Sequence, residues 1–206
     1  MQNDSFRCRR VLPTDQAEDV ARFLHLTDPY IYPAVCQDPA DEEWVALVRN
    51  CMNAERNLFH ARHLSVALCS EDIVGLICVI PCGVKLDFVN GIGDLSEDFM
   101  HRLSPVIDGY FAPLIAESLS YDGYNITNVC VDSRYRGKGV GSLLLAHGIE
   151  MYGHSPIHLD VIASNRSAIH LYKKFGFEIA TEYDGFSGDD TKLCCYHMVR
   201  KPTTAG

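Results

Sequence analysis

Apolar residues alternate, run together or recur every third and fourth position in different parts of the chain, and each spacing predicts an element. Residues 6–11 read as a first strand, ended by Pro13. A helix is expected over 16–26, with Val20, Phe23 and Leu24 on one side and Thr14 or Asp15 as its cap. After the turn-rich run Thr27-Asp28-Pro29-Tyr30-Ile31-Tyr32-Pro33, Asp41 caps a second helix over 42–52. Residues 63–70 and 72–81 read as two strands joined by a tight turn at Glu71-Asp72, the second carrying the apolar run 73–80. An excursion over 84–124 then separates the third strand from the fourth. It contains a helix over 110–119, with Phe111, Leu114, Ile115 and Ser118 on one stripe.

The downstream part has a stricter rhythm. Residues 126–131 are β-branched and apolar, as a buried strand should be, and 140–151 have helical spacing without proline. In a strand over 157–162, His158 and Asp160 alternate with Leu159 and Val161. Asn165 caps the next helix, whose Ala168, Leu171, Tyr172 and Phe175 fall on one face, and Gly176 ends it. Strands over 177–183 and 192–200 close the chain across a polar loop, 184–190, and 201–206 are expected to form a mobile tail.

Composition narrows the possibilities. With 206 residues and 47% apolar content, one domain over 1–206 with one sizeable core is expected, with 84–124 as a helical insertion. The longest apolar stretch, 73–81, has the length of a strand and not of a membrane span, and 1–5 are polar, so a soluble cytoplasmic protein without a membrane partner is expected. The nine cysteines are odd in number and contain no C-x-x-C pair, which favours buried thiols in a reducing compartment. His154 and His158 lack the further ligands of a zinc site, so no metal is expected. A formal charge of −9 argues against nucleic acid as a partner. The charge is uneven: eight acidic residues face the single Arg22 between Asp15 and Glu43, and a negative field of that kind attracts cationic amines, although solvated acidic faces are the commoner reason for such runs.

The chemistry concentrates between the strand over 126–131 and the helix that follows it. Arg134-Tyr135-Arg136-Gly137-Lys138-Gly139-Val140-Gly141-Ser142 places three glycines in five residues where a strand turns into a helix. Such a loop lets backbone N–H groups approach an anion, and the helix adds its unpaired amides and the positive end of its dipole. A pyrophosphate fits that description. Neither the P-loop nor the G-x-G-x-x-G spacing is met. The residues do spell R-x-x-G-x-G from Arg136 through Gly139 to Gly141, and 165–177 spell N-x-x-A-x-x-x-Y-x-x-x-G-F. In both motifs the chain resembles the GNAT superfamily of acetyl-CoA-dependent N-acetyltransferases, closely over 128–177 and loosely over 6–200.

The resemblance implies an α/β (α+β) fold in which a mixed, mostly antiparallel sheet is flanked by helices on both faces and its strands splay at the acetyl-CoA site. It implies that the backbone of Val129, Cys130 and Val131 holds the carrier's arm, that Arg136, Gly137, Lys138, Gly139, Val140, Gly141 and Ser142 hold its diphosphate, and that Asn165 touches the arm or merely caps its helix. Tyr172 is the implied general acid for the leaving thiolate. The connection between the first two helices is implied to lie beside the acceptor, which draws attention to the phenols of Tyr30 and Tyr32. Glu117, Asp122, His158 and Asp160 are the candidate proton acceptors, and Asp132 is expected to order the loop through backbone hydrogen bonds. The expected reaction is direct acetyl transfer in a ternary complex to a primary amine of a small molecule or peptide, since no cysteine lies in a nucleophile motif. The competing class is an acyl-CoA-binding module that acts through protein contacts without turnover. The insertion could cap the acceptor pocket or make a homodimer contact.

Overall fold

The computed structural model describes residues 5–12, 14–27, 30–185 and 193–202. Seven strands form one sheet in the order β1-β2-β3-β4-β5-β7-β6: β1 (Phe6–Arg10), β2 (Leu64–Cys69), β3 (Asp72–Pro81), β4 (Tyr124–Val131), β5 (Ile157–Ile162), β6 (Glu178–Gly185) and β7 (Leu193–Arg200). Every neighbouring pair is antiparallel except β4 and β5. That parallel pair is short. It comprises Tyr124 with Ile157, Asn125 with His158 and Ile126 with Leu159, and the strands share no pairing beyond it.

Residues 73–80 of β3 are all buried because both faces of the sheet are covered, which is why this strand reads as a continuous apolar run rather than an alternation. On one face lie α6 (Val140–Tyr152) and α7 (Arg166–Lys174), whose Val140, Leu144, Leu145 and Tyr172 pack with Ile77, Val79, Leu159 and Val161. On the other lie α1 (Ala17–His25), α2 (Ile31–Val35), α3 (Glu42–Asn53), α4 (Glu97–Val106) and α5 (Ala112–Ser118), packed on Val66, Leu76, Cys78, Ile80 and Cys130. This second core is aromatic. Phe88 and Phe111 stack at 4.0 Å, and Phe59 meets Phe111 edge-on at 5.9 Å.

Several expectations shift. Asp41 caps α3 through the Glu43 and Trp44 amides as expected, but α1 starts after Gln16 with no side-chain cap. The Asp15 carboxylate is held instead by both Arg9 guanidinium nitrogens, at 2.7 Å each, and by the Leu12 amide. The expected turn at Glu71-Asp72 lies one residue earlier, at Ser70-Glu71, since Cys69 pairs with Asp72 and Ser70 takes φ 55°. The end of the run 27–33, read as turn-rich, opens α2, in which Pro33 sits in the first turn where no N–H is needed. The helix expected from 110 is part of a longer one: α4 runs through Pro105 into a π-helical turn at Ile107–Phe111 and on into α5. A proline cannot donate to the turn before it, and the widened turn follows directly. Pro13, Pro29, Lys192, most of the loop over 184–190 and most of the tail over 201–206 lie outside the described residues.

The excursion after β3 is therefore core, since its Leu86, Phe88, Phe99, Leu103 and Phe111 complete the layer over the sheet. Among the described residues no helix is long and apolar enough to cross a membrane. Truncating the central ring by Phe111→Ala should cost about 3–5 kcal/mol of folding stability. Urea unfolding measures it, and a loss under about 1 kcal/mol would show that this helix is not part of the cooperative core.

Candidate active site

The loop between β4 and α6 is built around one buried carboxylate. Asp132 accepts from the Arg134 amide at 3.0 Å and from the Arg134 side chain at 3.1 and 2.8 Å, and Arg22 of α1 reaches it at 3.2 Å. The Arg134 hydrogen bond, opposed by burial and helped by the Arg134 amide and Arg22, holds the carboxyl well below the usual range. Arg134 thus spends its charge on the loop itself. Arg136 donates from Nε to the Val131 carbonyl at 3.2 Å, and the Lys138 ammonium lies 5.0 Å over the Tyr135 ring.

Gly137 and Gly139 take φ of 75° and 90°, which β-carbon-bearing residues rarely adopt, and a Cβ built on either meets nothing within 4 Å. These two glycines leave open space in front of the backbone. Gly141 has a different reason: an added Cβ would sit 3.3 Å from a Leu171 methyl, so its absence lets α7 approach the start of α6. The Leu143 amide returns to the Gly139 carbonyl at 3.0 Å. Among the described residues the amides of Gly137, Gly139, Val140, Gly141 and Ser142 bond to no protein acceptor. They are the orphan donors of a helix start, with the positive end of the dipole behind them.

Beside this cradle β4 parts from β5. The Asp132 amide bonds the Val74 carbonyl at 3.0 Å, which fixes the alternation along the antiparallel β3–β4 ladder. By that alternation Cys130 directs its backbone to β3, whereas Val129 and Val131 direct theirs toward the opening, where the Val131 carbonyl accepts from Arg136 Nε. Of the three expected arm-holding residues, two face the gap and Cys130 does not. Cys130 is a buried thiol that burial pushes up to about 11, so it is a poor nucleophile.

Tyr172 is buried beside Phe177, and burial pushes its phenol up to about 12. Its hydroxyl has no hydrogen bond among the described residues. Asn165 takes the helix-capping job, accepting from the Ala168 amide at 3.2 Å. Tyr30 is exposed. Tyr32 is buried, and its hydroxyl accepts from Asn128 Nδ2 at 2.9 Å, tying α2 to β4 next to the gap.

The face opposite α6 carries polar groups that the sequence only partly disclosed. Of the candidate proton acceptors, His158 and Asp160 join one cluster with His197 of β7, and Glu117 reaches it through Tyr121. Asp122 contributes its backbone carbonyl to His158. His197 and Tyr121 were not singled out in the sequence, because their place depends on the β5–β7 register, which pairs Asp160 with His197.

Because the folded Asp132 carboxyl lies below its unfolded value near 3.9, the stability it contributes is fully present above about pH 4 and is lost as pH falls through the folded value. Asp132→Asn should therefore be less stable than the parent at pH 7, and the difference should shrink in acid. Denaturation midpoints measured from pH 7 to pH 2.5 check this, and a constant gap across that range would contradict it.

The chain is similar to known proteins. The model of the acetyltransferase (GNAT) family matches residues 21–177. The spermine/spermidine N(1)-acetyltransferase of Bacillus subtilis (strain 168) is 40% identical over 129 residues, 61% of this chain and 76% of that enzyme; other curated relatives are matched over as little as 20% of their length. In fold, an N-acetyltransferase from Staphylococcus aureus Mu50 superposes with a TM-score of 0.71 at 18% identity, covering 94% of this chain and 99% of that one. Naa50 of Arabidopsis thaliana, solved with the bisubstrate analogue CoA-Ac-MVNAL, superposes at 0.56 with 20% identity, covering 96% and 99%. With two glycine-shaped openings before α6, a gap between β4 and β5 and a family match across most of its length, the chain belongs to the acetyltransferase (GNAT) family.

Proposed function

We propose that the protein is an acetyl-CoA-dependent N-acetyltransferase that acylates a cationic primary amine, acting in the cytoplasm. The observation that carries the reading is the row of amides from Gly137 to Ser142 without protein acceptors, next to the β4 edge left open by the short β4–β5 pairing. The residues fit the carrier: a diphosphate takes the helix-start amides with Arg136 and Lys138 alongside, and the pantetheine amides pair with the Val129 backbone and the Val131 N–H as a missing strand would. Bound acetyl-CoA supplies the thioester. Its sulfur would leave as thiolate on the side of Tyr172, whose phenol stays protonated across the working range and can donate.

The acceptor approaches from the face of α1, α2 and α5. An alkylammonium is deprotonated in only about one part in several thousand at pH 7, so this face has to remove a proton before the nitrogen attacks. Carboxylates and aromatic rings there, Glu117, Asp160, Tyr121 and Tyr32, suit an amine that arrives charged. The similarity to a polyamine acetyltransferase points the same way and ranks polyamines ahead of a peptide N-terminus. The buried thiols, of which Cys36, Cys51 and Cys78 are pushed up to about 12, favour direct transfer over an acetyl-cysteine intermediate and a reducing compartment.

Coenzyme A release should depend on added amine, with spermidine as the probe. Tyr172→Phe should lower kcat by about 10- to 100-fold while leaving acetyl-CoA affinity within about threefold. Affinity for acetyl-CoA with no amine-dependent release over a broad amine panel would favour the acyl-CoA-sensing alternative. Unchanged kcat in the variant would remove Tyr172 from the chemistry.

A further inference from the structure

His158 and His197 are both buried, and they form a chain of three hydrogen bonds with acceptors at its two ends. The Asp160 carboxylate meets His197 Nδ1 at 3.1 Å, His197 Nε2 meets His158 Nδ1 at 3.2 Å, and His158 Nε2 meets the Asp122 carbonyl at 3.1 Å. A carbonyl and an ionised carboxylate cannot donate. Each of the three links therefore needs a proton from a ring nitrogen, and two neutral imidazoles carry only two. With all three links hydrogen-bonded at once, the chain holds one proton more than two neutral rings carry. Removing it leaves two protons for three links, so one link is always empty, and the empty link moves along the chain as the rings change tautomer.

We propose that Asp160, His197 and His158 form a proton relay that receives the proton released by the acceptor amine. This rests on the acetyl-transfer reading. Asp160 lies one residue past Leu159, the last β5 residue paired with β4, and so borders the gap on the face away from α6. Beside His158 in the parallel register is Asn125, whose buried amide oxygen is the one fully buried side-chain polar atom without a partner among the described residues. Register neighbours share a face, so Asn125 lies beside the relay with its oxygen sealed from solvent.

In the two-proton state the empty link can sit between Asp160 and His197. The arriving ammonium gives one N–H proton to the Asp160 carboxylate, the electron pair of that bond stays on nitrogen and then forms the bond to the acetyl carbon, and the C–S bond breaks with its pair on sulfur. His197 Nδ1 takes it up, which restores the three-proton chain. The thiolate takes its proton from Tyr172 on the other side of the gap, the second N–H proton of the amine passes through water to restore that phenol, and the relay returns its own proton to water.

The surroundings suit a resident imidazolium. The Tyr121 ring stacks at 4.6 Å on His158 and 4.9 Å on His197, offering its π-face to the shared charge. Its hydroxyl donates to Glu117 of α5 at 2.6 Å. Tyr183 of β6 hydrogen-bonds Asp160, while Asp122 from the turn before β4 and the thiols of Cys82 and Cys195 complete the titratable groups around the chain. The hydrogen bond to Asp160 raises His197 despite its burial, whereas burial and then His197 lower His158, which places the extra proton on the His197 side.

The test combines ring NMR with pH profiles of the full chain, using spermidine and a short basic peptide with a free N-terminus as probe amines. Imidazole ¹⁵N spectra should show His158 and His197 titrating together with the loss of one proton, and kcat should rise with pH through that titration. His197→Gln should lower kcat about a hundredfold at pH 7 and abolish this limb while acetyl-CoA affinity stays near the parent value. Asp160→Asn, which keeps the shape but cannot hold the proton, should do the same. Two independent ring titrations, or a His197→Gln enzyme with the parent pH profile, would overturn the relay and leave the transfer reading standing. Absence of coenzyme A release from the wild type with every probe amine would overturn the transfer reading and the relay with it.

Discussion

The structure depends on one interruption: β4 and β5 pair over three residues and then separate, although both strands continue. A parallel pair broken inside a sheet leaves backbone donors and acceptors exposed in the middle of a molecule, which is costly unless something else bonds them. The neighbours keep the interruption stable without closing it. β3 holds β4 along its whole other edge, β7 holds β5, and α6 and α7 cover one side while the aromatic layer around Phe59, Phe88 and Phe111 supports the other. The exposed edge of β4 then becomes a place where an extended amide-bearing ligand can stand in for a strand.

Charge is arranged around the same gap. At one end α6 starts with unpaired amides behind two glycines, and the nearby Asp132 absorbs the charge of Arg134 and part of that of Arg22 so that the loop keeps one shape. On the far face the carboxylates of Glu117 and Asp160 are attached to rings and not exposed singly. In the proposed reaction an anionic carrier and a cationic acceptor would approach opposite sides of one sheet, and the thioester would meet the amine between them.

Much of this was legible in the sequence where local rules decide. The strand before Asp132, the glycines at 137 and 139, the Asp41 and Asn165 caps and the run of β3 each follow from residue type and spacing over a few positions. The helix at 97–106 went unread although Ser96 caps it and Phe99, Leu103 and Val106 keep helical spacing, because Pro105 reads as a break. Pro33 concealed α2 in the same way. The proton-bearing cluster could not be read at all as a unit: His158 and Asp160 alternate on one strand, but their partner His197 is brought to them only by the β5–β7 register, and Tyr121 by the turn that ends the long helix. Pairing between distant strands is set by the folded sheet, so a single chain of letters does not display it.

The central claim is that the glycine-opened amides at the start of α6 hold the diphosphate of a coenzyme A thioester. Calorimetric titration of acetyl-CoA into the wild-type chain and into Gly139→Val tests it most directly. The account predicts one saturable site in the wild type and at least a tenfold loss of affinity in the variant, about 1.4 kcal/mol, with the fold intact by far-ultraviolet circular dichroism. No binding heat in the wild type, or equal affinity in the two proteins, would contradict it.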